Sequence, residues 1–135
     1  MLDLNYYMPV EIIYGKGVVK QNGARFAALG KRCLIVTGKH GAKACGALDD
    51  LTQTLDAAGV AYQIFDEIEP NPMESTCQKA GQAAKAMDAD FLVGVGGGSP
   101  MDAVKAASVF ACNDITLEEL YQNSYSNSHL PFVCI

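Results

Sequence analysis

One stretch of the chain predicts the fold, Phe91-Leu92-Val93-Gly94-Val95-Gly96-Gly97-Gly98-Ser99-Pro100-Met101-Asp102-Ala103-Val104-Lys105. Its first five residues form an apolar run typical of a buried strand, and three glycines follow. Ser99 is then a favourable N-cap, Pro100 suits the first helical position, and Asp102 would complete a capping box. The pattern predicts a strand, a glycine turn and a helix in direct succession.

A strand, a bare turn and a helix in this order direct unpaired backbone N–H groups at one point, where the helix dipole favours an anion. Glycine suits such a point because a Cβ would hold a phosphate away from the backbone. A tight turn without any ligand is the alternative, but a single glycine would suffice for it. The three consecutive glycines at 96–98 therefore favour a turn that binds a phosphate.

Two standard nucleotide-binding motifs fit the chain poorly. The fingerprint G-x-G-x-x-G belongs to the first strand–helix turn, whereas Gly94-x-Gly96-x-x-Ser99 follows a later strand and ends in serine. A Walker A loop is excluded because Gly41-x-x-x-x-Gly46 is followed by alanine and leucine, which leaves no lysine or hydroxyl for phosphate and Mg²⁺. Phosphoryl transfer by a P-loop mechanism is therefore not expected.

The rest of the chain alternates between β-rich runs and segments with helical periodicity. Five residues recur at helical spacing: Ala44, Leu48, Leu51, Leu55 and Ala58. The predicted elements, in chain order, are an extended segment at 9–17, a helix at 18–29, a strand at 33–37, the helix with these five residues, a strand at 61–65, a helix with Pro72 at its first position, the strand and helix at 91–111, a short helix capped by Thr116 and Glu119, and a strand from 131. This order predicts an α/β fold, a Rossmann-like parallel sheet with helices on both faces, preceded by an amino-terminal extended strand segment.

Three turns of the predicted sheet lie at its carboxyl edge, where ligands of such sheets bind. They are Gly38-Lys39, the turn at Asn71 and the glycine turn that ends at Ser99. Asn71 has a second role open to it, as a helix cap paired with a glutamate three residues on. Asp102 either caps its helix or contacts a ribose or another neutral group, because its carboxylate would repel a pyrophosphate.

Composition and charge narrow the classes of function. The 135 residues suffice for one domain with a sizeable core, and a net charge of −5 argues against a nucleic-acid partner. No apolar run is long enough to span a membrane, and the chain lacks the basic start of a signal peptide. The five cysteines form no C-x-x-C pair and there are two histidines, so we expect small buried thiols in a reducing cytoplasm rather than a zinc site.

Four motifs of the chain together resemble one known family. They are Ile12-Ile13-Tyr14-Gly15-Lys16-Gly17, Leu34-Ile35-Val36-Thr37-Gly38-Lys39, Glu69-Pro70-Asn71-Pro72 and Gly96-Gly97-Gly98-Ser99-Pro100-x-Asp102-x-x-Lys105. In this order and spacing they resemble the amino-terminal domain of the iron-containing (group III) alcohol dehydrogenases, over nearly the whole chain. Glycerol dehydrogenases and dehydroquinate synthases look like more distant relatives on the same fold.

The resemblance implies a set of contacts to a dinucleotide cofactor. Gly97, Gly98 and Ser99 would bind the cofactor pyrophosphate. Asp102 would lie near the nicotinamide end, and Asn71 would line the adenosine side. These assignments are carried over from the family motif to the matching positions of this sequence.

The resemblance also bears on the choice between NAD and NADP. Gly38 stands where NAD-preferring members carry an aspartate, which hydrogen-bonds the ribose 2′-OH and repels a 2′-phosphate. Glycine removes that repulsion, and Lys39 would supply a counter-charge. Either cofactor, NADP or NAD, is therefore compatible with the chain.

One part of the family pattern is missing from the chain. The family's divalent metal, usually Fe²⁺, is held in a helical second domain by one aspartate and three histidines, and this chain has two histidines in all. The family also continues into a Thr-rich and Gly-rich turn where this chain stops. We therefore expect residues 1–135 to be the amino-terminal NAD(P)-binding domain of a longer enzyme, and we assign no catalytic residue and no metal ligand within it.

The function implied by the resemblance is NAD(P)-dependent interconversion of an alcohol with an aldehyde or ketone. A small alcohol or aldehyde would be the substrate, and the enzyme would be a cytoplasmic homodimer joined partly through the amino-terminal strand; this chain alone would be inactive. A non-catalytic nucleotide-binding or assembly module is the alternative from another class, supported by the missing metal ligands. A glycerol-dehydrogenase-like or dehydroquinate-synthase-like enzyme is a third possibility, but Gly38 and the Gly-Gly-Gly-Ser-Pro sequence favour the alcohol dehydrogenases.

Overall fold

Four parallel strands form the centre of the fold in a computed structural model of the protein, which describes residues 3–126 and 128–135. The strands are β1 (Arg32–Thr37), β2 (Ala61–Phe65), β3 (Phe91–Val95) and β4 (Phe132–Cys134). They lie in the order β2-β1-β3-β4, and each neighbouring pair is parallel. β1 and β3 occupy the middle because they are largely apolar runs that can be buried on both faces. The predicted parallel α/β sheet is confirmed.

Helices connect the strands in the described part of the chain. They are α1 (Val18–Gln21), α2 (Gly23–Leu29), α3 (Gly41–Ala44), α4 (Ala47–Ala57), α5 (Glu74–Ala86), α6 (Gly98–Cys112) and α7 (Leu117–Tyr121). Successive strand residues point to opposite faces of a sheet, so a strand that is apolar throughout needs a helical layer on either side.

These helices cover both faces of the sheet, as predicted. On one face, Leu34, Val36 and Leu92 share a buried cluster with residues of α5 and α6. On the other face, Ile35 and Val93 share a second cluster with residues of α2 and α4. The two clusters sandwich β1 and β3, so the carboxyl ends of these strands are held rigidly at one edge of the sheet.

Two of the predicted helices are interrupted. The helix predicted at 18–29 is divided at Asn22, whose side-chain amide donates to the carbonyl oxygen of Val18 at 2.7 Å. A second break lies at Gly46, whose φ of 80° separates α3 from α4. Three residues of the predicted helical face lie within α4 and are buried: Leu48, Leu51 and Leu55. Ala44 is exposed in α3, on the other side of the break at Gly46, and Ala58 is the half-buried C-cap of α4.

The capping predicted from the sequence is confirmed for α7 and wrong for α5. Thr116 and Glu119 form the predicted capping box. The predicted pair of Asn71 and Glu74 does not form, because α5 begins at Glu74 with Met73 as its N-cap. The start of α5 is instead held by a side chain from the loop before it, described below.

The amino-terminal segment 3–14 lies outside the sheet and contains no helix or strand. The extended segment predicted at 9–17 therefore has no partner strand among the described residues. One ion pair ties it to α2, with 2.8 Å between Arg25 Nη1 and Glu11 Oε2. Its large apolar side chains are exposed: Leu4, Tyr6, Tyr7, Val10, Ile12 and Tyr14. We call this segment the apolar arm.

Two of the cysteines fit the expectation of buried thiols. Cys33 and Cys77 are buried, and burial raises the pKa of Cys33 to about 12. The expectation is wrong for Cys45, in the α3–α4 loop, and for Cys134, on the edge strand β4, which are both exposed. Within the described ranges no helix has the length and apolar character needed to cross a membrane.

Candidate functional site

A cavity of about 750 Å³ lies beyond the carboxyl ends of the two central strands. Its walls come from the loops that follow β1, β2 and β3, so the turns predicted to meet at one edge do meet there. Five of the predicted site residues line it: Gly38, Lys39, Gly97, Gly98 and Ser99. Asn71 and Asp102 are not among the residues that line the cavity in the described part of the chain.

The glycine turn forms one wall of the cavity and leaves it open. Gly96 has a φ of 140°, which residues with a side chain rarely adopt. A Cβ built on Gly97 or Gly98 would have no neighbouring protein atom within 4 Å. Contacts inside the described protein therefore do not require either glycine. The space left by their missing side chains is available to a ligand.

Helix α6 begins at this turn. Gly98 is its first residue, and no side chain caps it. The backbone N–H groups of the first turn have no acceptor within the helix, and the dipole of this 15-residue helix places partial positive charge there. The prediction that Ser99 and Asp102 cap the helix is wrong, because the helix starts one residue before the serine and so takes it into its first turn.

Ser99 joins the glycine turn to the loop after β2. Its Oγ accepts a hydrogen bond from the backbone N–H of Asn71 at 3.2 Å. Asn71 has a φ of 53°, in the left-handed region that asparagine tolerates better than most residues. Asn71 therefore reaches the site through its main chain, from a position beside the cavity.

Asp102 lies one turn further along α6. Its side chain is 72% exposed, and its Oδ1 pairs with Lys105 Nζ at 3.0 Å, the partnership that the sequence spacing indicates. An exposed pair of this kind contributes little to stability. A contact between Asp102 and a cofactor stays a prediction.

The end of β1 forms the wall that faces the glycine turn. The Thr37 hydroxyl donates to the carbonyl oxygen of Val95 at 2.9 Å and so fixes the ends of β1 and β3 to each other. A Cβ on Gly38 would lie 3.1 Å from the carbonyl oxygen of Ile68, so the loop after β2 packs closely on this glycine. Thr37 was not singled out from the sequence, although its place at the end of a predicted strand is a signal that would have found it.

Glu69 is a second lining residue to which the sequence assigned no role. Its Oε1 accepts hydrogen bonds from the Met73 backbone N–H at 3.1 Å and from the Thr76 hydroxyl at 2.9 Å. Its own backbone N–H, that of Met73 and the Thr76 hydroxyl keep the pKa of this carboxyl below its usual value. Its Oε2 is buried and has no hydrogen-bond partner among the described residues. No standard capping pattern contains this spacing, so a local pattern could not reveal it.

The arrangement suits a ligand with an anionic middle and uncharged flanks. The first turn of α6 offers backbone N–H groups and a positive helix end to an anion, and the bare side of Gly97 and Gly98 lets a phosphate approach. The carboxylates of Glu67 and Glu69 on the neighbouring wall favour uncharged groups there. A volume of about 750 Å³ is large enough for a small-molecule cofactor. The residues present therefore fit a cofactor that contains a pyrophosphate.

Comparison with known proteins agrees with this assignment. The sequence profile of the family described as iron-containing alcohol dehydrogenase matches residues 9–135. The probable NADH-dependent butanol dehydrogenase 2 of Bacillus subtilis (strain 168) is 37% identical over 106 residues, 78% of this chain and 27% of that protein. The NADPH-dependent butanol dehydrogenase of Clostridium saccharobutylicum is 31% identical over 107 residues, 79% of this chain and 27% of that protein.

A solved structure gives the same result. The crystal structure of an iron-containing alcohol dehydrogenase from Thermotoga maritima matches 96% of this chain with a TM-score of 0.88 and 40% identity. This chain spans 36% of that crystallised chain and 27% of each of the two butanol dehydrogenases. The family match at 9–135 contains all four strands and every residue that lines the cavity.

Proposed function

This chain belongs to the iron-containing alcohol dehydrogenase family, and we propose that residues 1–135 form the cofactor-binding domain of an NAD(P)-dependent enzyme that interconverts an alcohol with an aldehyde or ketone. The observation that carries the proposal is the open space beside Gly97 and Gly98 at the first turn of α6. A pyrophosphate held there would accept hydrogen bonds from the backbone N–H groups. The bound nicotinamide would supply the hydride chemistry.

The chain's own residues would bind and orient this cofactor. Gly97, Gly98 and Ser99 would hold the pyrophosphate, and Asn71 would support Ser99 through its main chain. Asp102 would approach the nicotinamide end only after its exposed pair with a lysine opens. The walls after β1 and β2 would exclude water from the two riboses.

Both NADP and NAD are compatible with the wall after β1. Gly38 puts no carboxylate beside the position of a 2′-phosphate, and Lys39 lines the cavity next to it. Among the relatives, the Bacillus subtilis protein is described as NADH-dependent and the Clostridium saccharobutylicum protein as NADPH-dependent. The family thus uses both cofactors, and substitution of Gly38 is a direct test of the choice.

We propose that a divalent metal, Fe²⁺ by the family's description, serves the full-length enzyme. The described residues of this chain do not fit such a centre, since they contain no group of three or more His, Cys, Asp or Glu side chains arranged to hold a metal ion. We therefore assign no metal ligand among the described residues.

The proposed partners are the dinucleotide, a small alcohol or aldehyde, and a second copy of the protein. The exposed apolar side chains of the apolar arm support a homodimer, because such a surface marks an interaction site. A net charge of −5 gives no support to a nucleic-acid partner, and we propose no membrane partner. We also propose a cytoplasmic location, in keeping with the unpaired, buried Cys33 and Cys77.

Titration of the full-length protein with NADPH and NADH, followed by nicotinamide fluorescence, tests the proposed function. We expect binding of at least one cofactor, and we expect Gly98→Val to weaken it about tenfold or more, because the isopropyl group would occupy the space of a phosphate. The control is Ala86→Val, at the exposed carboxyl end of α5, which adds bulk away from the cavity.

Two results would overturn these assignments separately. Unaltered affinity for both cofactors in Gly98→Val and in Ser99→Ala would contradict the role of the glycine turn. Failure of the wild-type protein to bind either cofactor would contradict the proposed function itself.

A further inference from the structure

The loop after β2 contains the turn Pro70–Pro72, which is closed by hydrogen bonds to Glu69. Holding the start of α5 does not by itself account for the shape of this turn. The carboxylate of Glu69 reaches over two prolines to the Met73 backbone N–H at 3.1 Å and the Thr76 hydroxyl at 2.9 Å. These bonds fasten the first turn of α5, whose N-cap offers no side-chain acceptor of its own. They also fix both ends of the Pro70–Pro72 turn.

That turn presents a single backbone hydrogen-bond donor. Pro70 and Pro72 have no backbone N–H, so Asn71 supplies the only one of the three residues. Asn71 adopts a φ of 53° and directs this N–H to Ser99 Oγ at 3.2 Å. The left-handed conformation is uncommon for a residue with a side chain, so it persists only where surrounding bonds hold it.

The bond to Asn71 determines what the Ser99 hydroxyl can do next. A serine hydroxyl has one proton to donate, and its oxygen accepts from other groups. Because Ser99 Oγ accepts from the Asn71 N–H, its own proton is free of that contact and can be donated to a ligand oxygen. Ser99 lines the cavity at the first turn of α6, where an anion is favoured. A hydroxyl that also accepts a hydrogen bond is polarised and becomes a better donor.

We propose that Glu69 is a positioning residue of the cofactor site: it holds the Pro70–Pro72 turn, and this turn places the Asn71 N–H on Ser99, so that the Ser99 hydroxyl donates to the cofactor pyrophosphate. This inference rests on the proposed function. It adds Glu69 to the site as a residue that acts on the cofactor through Asn71 and Ser99.

A direct contact between Glu69 and the pyrophosphate is disfavoured on two grounds. The carboxyl keeps its charge at neutral pH, because its own backbone N–H, that of Met73 and the Thr76 hydroxyl lower its pKa. A carboxylate next to a phosphate would be repelled. Its Oε1 is moreover already bonded to Met73 and Thr76, and its Oε2 is buried. An effect of Glu69 on binding must therefore pass through the turn.

A double-mutant cycle in the full-length protein tests whether Glu69 acts on cofactor binding through Ser99. The dissociation constant for NADPH, or for NADH if that cofactor binds more tightly, is measured for wild type, Glu69→Ala, Ser99→Ala and the double variant. We expect each single variant to bind about tenfold more weakly, in keeping with the loss of one hydrogen bond. The double variant should bind within about twofold of Ser99→Ala, because Glu69 then has no hydroxyl left to position.

Two further variants separate positioning from a general loss of structure. Glu69→Gln keeps an acceptor for Met73 and Thr76, so it should bind within about threefold of wild type. Glu74→Gln removes a carboxylate from the same end of α5, where it bonds to Tyr121 at 2.6 Å instead of to the turn, and should leave affinity unchanged. If Glu69→Ala does not fold, the same cycle is run with Thr76→Val, which removes one of the two bonds to Glu69.

The outcomes of the cycle are distinct. Losses that multiply in the double variant, to about a hundredfold, would overturn the inference, as would wild-type affinity in Glu69→Ala. Both results leave the proposed function standing, since the wild-type protein still binds the cofactor. Absence of binding by wild type would instead remove the proposed function on which the inference rests.

Discussion

The glycines in β3 and at the start of α6 serve two different needs. A Cβ on Gly94 would lie 2.8 Å from both the Pro100 carbonyl oxygen and Val104 Cγ1, so packing of α6 on β3 requires this glycine. Gly97 and Gly98 meet no such obstacle within 4 Å. Gly94 brings the helix close to the strand, and we propose that the other two keep the cavity open for a ligand. Stability and binding would then depend on different positions of one short motif.

We propose that Gly38 is a position at which cofactor choice can be changed. In Gly38→Asp the new carboxylate would face a 2′-phosphate, so we expect affinity for NADPH to fall about tenfold or more while affinity for NADH is kept. The ratio of the two dissociation constants, measured by titration of the full-length protein, checks this. The new Cβ would start 3.1 Å from the Ile68 carbonyl oxygen, which must move by a few tenths of an ångström.

Gly38→Ala is the control for that movement, because it adds the Cβ without the charge. We expect the alanine variant to change both affinities equally and to leave their ratio at the wild-type value. An equal change of both affinities in Gly38→Asp would contradict the placement of the adenosine ribose beside this residue.

The packing of α5 against α6 sets the distance between the loop after β2 and the glycine turn, which lead into these two helices. Both begin at the cavity, and they contact each other through small buried residues: Ala80, Ala84, Ala103 and Ala107. A Cβ on Gly81 would lie 2.4 Å from the Phe110 Cβ and 3.0 Å from the Ala107 carbonyl oxygen. This close approach keeps the turn at Asn71 within reach of Ser99.

Gly81→Val should therefore force the two helices apart. We expect it to lower the free energy of unfolding by about 1–3 kcal/mol, the usual effect of overpacking a buried contact. Urea unfolding of the variant and wild type measures this. Gln82→Val, on the exposed side of the same helix, introduces the same β-branched side chain and should cost only about 0.5 kcal/mol. Equal losses in the two variants would show that Gly81 does not limit the helix contact.

The elements of the fold could be predicted from the sequence where burial decides them. β1 and β3 are apolar runs buried on both faces, and α4 has a regular leucine face, so period and composition were sufficient. The starts of α5 and α6 could not be predicted in this way. The first turn of α5 is held by Glu69, whose spacing to Met73 fits no standard capping pattern. Ser99 in the first turn of α6 bonds to Asn71, 28 residues away in sequence. A local pattern contains no record of such a partner.

The candidate site, too, could be predicted from the sequence only in part. The rule that ligands bind at the carboxyl edge of parallel strands brought Gly38, Lys39 and the glycine turn together correctly. The rule identifies which loops meet and says nothing about which side chains face the space between them. Glu69 and Thr37 were therefore missed, although both line the cavity. Asp102 lies outside the lining, and its contact with a cofactor stays a prediction.

The apolar arm presents large apolar side chains that no other described part of the chain covers. Tyr7 is 84% exposed and Ile12 is 74% exposed, although both are large apolar side chains. If a second copy covers them, Ile12→Asp should convert a dimer into a monomer, because a charge cannot be buried there without a partner. Sedimentation velocity of the full-length protein measures the change. Gln53→Asp, which adds a charge to the exposed side of α4, is the control and should leave the dimer intact.

A dimer that persists in Ile12→Asp at wild-type affinity would show that the apolar arm is covered in another way. A monomeric wild-type protein would contradict the proposed homodimer directly. Neither result bears on the cavity, since residues of the apolar arm do not line it.

We propose above all that the glycine turn holds the pyrophosphate of a nicotinamide dinucleotide. A crystal structure of the full-length protein with NADPH or NADH bound measures this directly. We expect pyrophosphate oxygens about 3 Å from the backbone nitrogens of Gly98 and Ser99, with the Ser99 hydroxyl also donating to one of them. A cofactor whose pyrophosphate lies beyond hydrogen-bond distance of this turn would contradict the claim.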